Sequence, residues 1–131
     1  MMRLQNSLVT AALAFLWLGL SISAGAAEFP KGTFTVKDPG GTAWAVSFDG
    51  KGRVAVARAS KEVVAGTYKV NKDQIELTDE QGPFAGTGDA KTGTYKWKLE
   101  GGKLTFTKVK DESEGRSRIL TTGAWERQEN D

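Results

Sequence analysis

Charged side chains gather in one segment near the C-terminus, KVKDESEGRSRILTTGAWER, in which three acids precede two arginines: Asp111, Glu112, Glu114, Arg116 and Arg118. A calcium loop needs carboxylates at alternate positions, a glycine and a distant glutamate, and this spacing does not match that pattern. A general acid and base pair would need two carboxyls whose surroundings push their pKa values apart, and the sequence supplies no such partner. The segment therefore gives no sign of a metal site or of acid–base catalysis.

The composition removes further classes of chemistry. The chain contains no histidine and no cysteine, although histidine is the usual general base and the commonest metal ligand near neutral pH. Serine has no base to activate it. The 18 basic and 16 acidic residues nearly balance and give no electrostatic footprint for nucleic acid. We expect a protein that is not an enzyme, with no catalytic residue, metal or cofactor and no nucleic-acid partner.

The elements that carry these side chains are predicted to be strands. Apolar residues alternate with polar or small ones, and turn residues interrupt the pattern every eight to twelve residues or so, as in a sandwich or barrel. Sequences such as DPGG and FDGKGR favour hairpins, and an even number of meandering strands closes without exposed edges. We predict an all-β, antiparallel, up-and-down barrel with eight strands: 32–37, 42–49, 53–59, 63–71, 74–79, 94–99, 103–109 and 124–128.

The charged segment fits a short helix between the last two strands. Acids first and bases later suit the helix dipole, and Ile119 and Leu120 give one apolar edge. We expect Asp111 and Glu112 at the helix start, and Arg116 or Arg118 across the closed end of the barrel, bidentate to a carboxylate or to carbonyls. The next tryptophan anchors the closing strand inward. The residues predicted to be structural are thus Asp111, Arg116 and Trp125.

Strand alternation also points large aromatic side chains inward. Ligand sites are concave and rich in such groups, but an eight-stranded barrel is only wide enough to be filled by side chains or to hold one small ligand, so both interpretations stay open. Tyr68 and Tyr95 are the better ligand candidates, because a buried hydroxyl needs a partner and each heads its strand. Phe84, in the glycine-rich loop 80–93, is expected to fold over the barrel mouth. The predicted ligand-binding residues are Trp44, Tyr68, Tyr95, Trp97, Phe106 and Phe84.

Two strands carry small apolar residues on their outer face, where polar residues are expected. These are Ala43, Ala45, Ala55, Ala57 and Ala59. We hypothesise that the loop 81–92, a helix or a second copy of the chain covers this face.

The N-terminal segment, 1–26, has the pattern of a secretory signal peptide: a positive charge, an apolar stretch over 8–22 and the small residues SAGAAE. Cleavage after Ala26 or Ala27 would leave 27–131 as a single domain. The apolar stretch is shorter than the roughly 20 residues that a spanning helix needs. We expect export to the periplasm or the extracellular space, with no stable membrane insertion after cleavage.

Three stretches together resemble a known family: FDGKGR, GTYKVNKDQIELTDEQGP and GTYKWKLEGGKLTFTKVKDESEGRSRILTTGAWER. They are similar to the small exported bacterial lipocalin-like domains, which are calycin-type barrels, over most of the chain from about Lys31 to Arg127. The resemblance implies a barrel with one closed and one open end and room for a small apolar ligand. It implies no particular reaction. Members often carry cysteines near Ala85 and Ser113, and since this chain has neither, that disulfide is not expected.

These observations favour an exported, lipocalin-like binding module that holds a small hydrophobic ligand at the barrel mouth by burying apolar surface. The alternative is an envelope protein-interaction or inhibitor module with a filled barrel, which would meet an envelope protein partner through its loops and outer face.

Overall fold

The computed structural model describes residues 29–129, which form a closed antiparallel barrel with its strands in sequence order. The strands are β1 (Gly32–Lys37), β2 (Ala43–Phe48), β3 (Arg53–Arg58), β4 (Lys61–Asn71), β5 (Gln74–Gln81), β6 (Thr92–Glu100), β7 (Lys103–Asp111) and β8 (Trp125–Arg127). A seven-residue helix, α1 (Glu114–Leu120), precedes the last strand. The predicted all-β, eight-stranded, up-and-down barrel with a short helix before its last strand is confirmed. The predicted signal peptide lies outside the described residues.

Hairpin turns join β1 through β5 in succession and join β6 to β7, whereas a longer loop joins β5 to β6 and α1 lies between β7 and β8. Local irregularities bend the sheet into a barrel. Val56 of β3 pairs with Val64 of β4, but the next residue, Ala57, pairs with Glu62. Val63 is therefore an extra, unpaired residue in β4. A β-bulge of this kind increases the local twist and changes the direction of a side chain. Val63 and Val64, which are neighbours in sequence, consequently both face the barrel interior.

The last strand closes the barrel with a short ladder. β8 pairs with β1 at Phe34 and Arg127 and with β7 at Leu104 and Trp125. Trp125 is fully buried, and its indole nitrogen donates a hydrogen bond to the carbonyl oxygen of Leu120 at 3.2 Å. Since buried indoles need such a partner, α1 and β8 hold each other in place.

One end of the barrel is closed by four aromatic rings, here called the aromatic plug: Phe29, Phe48, Tyr68 and Trp97. The ring centroid of Phe29 lies 4.7 Å from that of Phe48, 5.0 Å from Trp97 and 5.8 Å from Tyr68. The hydroxyl of Tyr68 accepts a hydrogen bond from the backbone nitrogen of Gly50 at 3.1 Å. Rings in edge-to-face contact are favourable beyond the area they bury, so this end is well packed.

The outer alanine face stays partly accessible in the single chain. Ala45, Ala55 and Ala57 are half-buried, whereas Ala43 and Ala59 are exposed. The helix α1 packs against β7 rather than over these alanines. Coverage of this face by a second copy stays a prediction.

No helix within 29–129 combines the length and the apolar character needed to cross a membrane.

Candidate functional site

A cavity of about 790 Å³ occupies the end of the barrel opposite the aromatic plug. It lies between the β1–β2 turn, the loop from β5 to β6 and α1, and its volume falls within the range of roughly 300–1,000 Å³ typical of small-molecule sites. Most of its wall is apolar. The apolar lining consists of Trp44, Val46, Val54, Val56, Val63, Val64, Leu77, Phe84, Ile119, Leu120 and Trp125.

The unequal sizes of the inward side chains explain why this end is hollow. On β2, β3 and β4 the inward positions near the cavity are mostly valines, and the bulge adds one more valine to the wall. Elsewhere the interior holds large groups such as Phe34, Tyr95 and Phe106. The interior of an eight-stranded barrel is just wide enough for large side chains to fill it. Where the inward residues are valines, the smaller side chains leave part of that interior unfilled.

Trp44 is fixed at the rim of the cavity by Asp38. The carboxylate of Asp38 accepts hydrogen bonds from the indole nitrogen of Trp44 at 3.0 Å and from the backbone nitrogens of Gly40 and Thr42 at 2.9 and 3.0 Å. These donors, the indole first, lower the pKa of Asp38 below its ordinary value. The guanidinium carbon of Arg58 lies 5.8 Å from the centroid of the indole, within cation–π range. The tryptophan is therefore held at a fixed position beside the guanidinium of Arg58.

Phe84 lies at the mouth of the cavity, and 55% of its surface is exposed. Its backbone nitrogen donates to the carbonyl oxygen of Val63 at 3.0 Å, and two residues later the nitrogen of Gly86 donates to the carboxylate of Asp79 at 2.7 Å. The backbone of this loop is thus anchored to the barrel, whereas the phenyl ring is largely exposed to solvent. Such a ring can cover an apolar ligand in the mouth.

Arg116 ties the helix to the rest of the rim. Its Nε and Nη2 donate to the two carboxylate oxygens of Asp111 at 2.8 and 2.7 Å. Its Nη1 donates to Asp79 at 2.8 Å, and Nη2 also donates to the carbonyl oxygen of Ala90 at 2.9 Å. The predicted bidentate contact with a carboxylate is present, but it lies beside the cavity and not at the plugged end. Its position follows from α1, which extends from the end of β7 where the cavity opens.

Asp111 is the most enclosed carboxylate of this cluster. Burial disfavours its charged form, but hydrogen bonds from Arg116, from the Tyr95 hydroxyl and from the backbone nitrogen of Ser113 outweigh burial and lower its pKa. Burial, together with the neighbouring carboxylate, raises the pKa of Tyr95. A side chain at Gly93, on the facing strand, would collide with the Asp111 carboxylate. The hydrogen-bonded cluster of Arg116, Tyr95 and Ser113 therefore surrounds an ionised Asp111 beside the cavity.

The structure separates the predicted site residues into three groups. Trp44 and Phe84 line the cavity. Tyr68 and Trp97 belong to the aromatic plug at the other end. Tyr95 packs edge-to-face on Phe106 with their centroids 6.4 Å apart, outside the lining, and its hydroxyl bonds to Asp111. A ligand-binding role for any of the six stays a prediction.

The sequence interpretation did not assign the valines, Asp38 or Arg58 to a site, and it named Arg116 and Arg118 only for a structural role. Trp125, predicted as a structural anchor, is buried as expected in the closing strand and also lines the cavity. The clustering of Val46, Val54, Val56 and Val63 on three consecutive strands was the available signal, since it marks the side of the barrel with the smallest inward groups.

The arrangement suits sequestration of an apolar molecule. Across 29–129 no group of three or more acidic side chains is placed to hold a metal ion. The exposed wall is mostly apolar, and four of its polar side chains, those of Asp38, Asp79, Ser113 and Arg116, are hydrogen-bonded within the protein.

The chain was compared with protein-family models, with curated proteins and with solved structures, and no match was found in any of the three.

Proposed function

We propose that this protein is a non-enzymatic binding module that holds a small apolar ligand in the cavity at the open end of its barrel. The cavity of about 790 Å³ with its valine-rich wall is the observation that carries this proposal. The aromatic plug closes the opposite end, so the ligand would enter between Phe84 and the β1–β2 turn.

Burial of apolar surface would supply the affinity. A ligand that loses about 300 Å² of apolar surface to the cavity gains roughly 7 kcal/mol, before the entropic cost of association is subtracted. The walls are preformed by hydrogen-bonded strands, and Trp44 is already fixed by Asp38. Little ordering of the protein would therefore oppose binding.

The same proposal places the protein outside the cytoplasm, in the periplasm or the extracellular space, on the strength of the apolar N-terminal segment and its small-residue end. It also assigns the chain to the lipocalin-like group. The strand order of the barrel and the sequence likeness over GTYKW and the residues that follow support that assignment.

The alternative, an envelope protein-interaction or inhibitor module, draws support from exposed apolar side chains. Phe84, Leu99 and Val109 are all exposed. Phe84, however, is also part of the cavity mouth, and a module that works only through its surface needs no cavity. The ligand-binding function therefore has the better support.

Titration with Nile red, a neutral apolar dye whose fluorescence shifts to the blue in apolar surroundings, tests the proposal. The variant Val56→Phe adds volume inside the cavity and should weaken binding by at least about tenfold, with the melting temperature nearly unchanged. The matched control Val109→Phe makes the same change at an exposed position outside the lining and should bind as the wild type does. Equal binding by Val56→Phe and the wild type would exclude the cavity as the site. Absence of binding to Nile red and to other neutral apolar probes would favour the interaction module.

A further inference from the structure

We infer that the ligand is an amphipathic anion, with an apolar chain in the cavity and an anionic head at the rim between Arg58 and Arg118. This inference rests on the proposed function and specifies the class of ligand. The inference is drawn from the polar groups of the cavity lining and from which of them already have hydrogen-bond partners.

The carboxylates of the lining are already in use. Asp38 accepts hydrogen bonds from Trp44 and from two backbone nitrogens of its own turn. Asp79 accepts from Gly86 and from Arg116. Arg116 in turn directs its Nε and both terminal nitrogens to protein oxygens. These groups have little capacity left for a ligand.

Two arginines of the lining differ from this pattern. Among residues 29–129, neither Arg58 nor Arg118 has a side-chain hydrogen bond or an ion pair within 4.0 Å. Arg58 lies over the indole of Trp44 and helps to lower the pKa of Asp38 through space. Glu114, one helical turn before Arg118, forms no ion pair with it. The charged groups of the lining that remain available to a ligand are therefore cationic donors.

The topology places Arg58 and the start of the helix that carries Arg118 at different parts of the rim, and both residues line the cavity. Arg58 ends β3, whereas Arg118 lies on α1, which continues from β7. In a closed ring of eight strands, β3 and β7 are four positions apart and therefore lie across the barrel from each other. An anionic head in the mouth could receive donors from both, while its chain runs down toward Val46 and Leu77.

The chemistry of the guanidinium group favours an anion over other heads. Its planar set of N–H donors matches a carboxylate or a phosphate bidentately, and the resulting charge-assisted bonds are stronger than neutral ones. A neutral head would gain only ordinary hydrogen bonds that water already provides. A cationic head would be repelled by both arginines.

Calorimetric titration with decanoate, decanol and decylamine, each below its micelle concentration, tests the inference because the three probes share one chain and differ in head charge. We expect decanoate to bind at least about fivefold more tightly than decanol, and decylamine to bind most weakly. The double variant Arg58→Gln, Arg118→Gln should reduce decanoate binding to the level of decanol and leave decanol binding unchanged. The control Arg53→Gln removes one positive charge outside the cavity lining and should change neither.

The three probes separate the anionic head from the apolar site. Equal affinity for decanoate and decanol would overturn the anionic head and leave the apolar site in place. Binding of none of the three would overturn the proposed function and this inference with it. A preference for decanoate that persists in the double variant, or a preference for decylamine, would also overturn it. Tighter binding of decyl phosphate than of decanoate would support the anionic class and assign phosphate as the head.

Discussion

Arg116 and Asp111 are joined by two charge-assisted hydrogen bonds, Nε to Oδ2 at 2.8 Å and Nη2 to Oδ1 at 2.7 Å. The pair bridges α1 and the end of β7, and the remaining contacts of the guanidinium reach Asp79 on β5 and Ala90 in the following loop. Three separate parts of the rim therefore meet at one side chain. The side chains of both residues are at most 10% exposed, so the pair is little screened by water.

The variant Arg116→Ala should lower the free energy of unfolding by about 3 kcal/mol, because it leaves the carboxylates of Asp111 and Asp79 without their cation. Urea denaturation followed by circular dichroism measures this change. Arg118→Ala, on the same helix but without an ion pair among the described residues, is the matched control and should change stability by less than about 0.5 kcal/mol. Unchanged stability together with lost ligand binding in Arg116→Ala would assign this arginine to function instead.

Stability should fall on acidification, with Asp111 as one cause. Its pKa is lowered in the folded state, so its stabilising contribution is present above the ordinary pKa of 3.8 and is lost as the pH falls through the folded-state pKa. Asp38 and Asp49 also have lowered pKa values and contribute in the same range. The free energy of unfolding, measured between neutral pH and pH values below 3.8, should decrease less steeply in Asp111→Asn than in the wild type. Identical slopes would contradict this role of Asp111.

The two ends of the barrel should respond differently to loss of a phenyl ring. Phe29→Ala removes the ring that contacts Phe48, Tyr68 and Trp97, and should cost about 2 kcal/mol while leaving dye binding in the cavity intact. Phe84→Ala removes an exposed ring at the mouth, and should weaken dye binding with little change in stability. Thermal unfolding and Nile red titration of both variants check the contrast. A reversed pattern would show that the ligand enters at the plugged end.

The barrel was predictable because its signals are local. Alternation sets which side chains face inward, and turn sequences such as DPGG and FDGKGR fix the hairpins, so all eight strands and the helix were expected. Strand ends were less predictable: β4 begins at Lys61 and β6 at Thr92, earlier than the alternation indicated. At these ends the ladder continues through cross-strand hydrogen bonds, which do not depend on the side-chain pattern.

The position of the cavity was not predictable from alternation. Tyr68 was expected at the head of its strand, near a rim, and was favoured as a ligand contact. It lies in the aromatic plug, at the end of the barrel opposite the cavity. Alternation tells which face a residue occupies, whereas its height in the barrel depends on register and bulges between strands. The double inward placement of Val63 and Val64 depends on such a bulge. A bidentate arginine was expected as Arg116 or Arg118 at the closed end; Arg116 makes this contact, but beside the cavity.

The short ladder of β8 has a consequence for the order of folding. Arg127 of β8 pairs with Phe34 of β1, and these residues lie near opposite ends of the described chain. Their pairing therefore closes the longest loop in the barrel for only a few hydrogen bonds. We expect the pairing of β1 with β8, here called the seam, to form last during folding and to open first in the native state. The backbone amides of β8 should then exchange with solvent faster than those of the other seven strands. Because Trp125 lies both in β8 and in the cavity wall, an occupied cavity would slow that exchange. Occupancy would thus set the lifetime of the closed barrel.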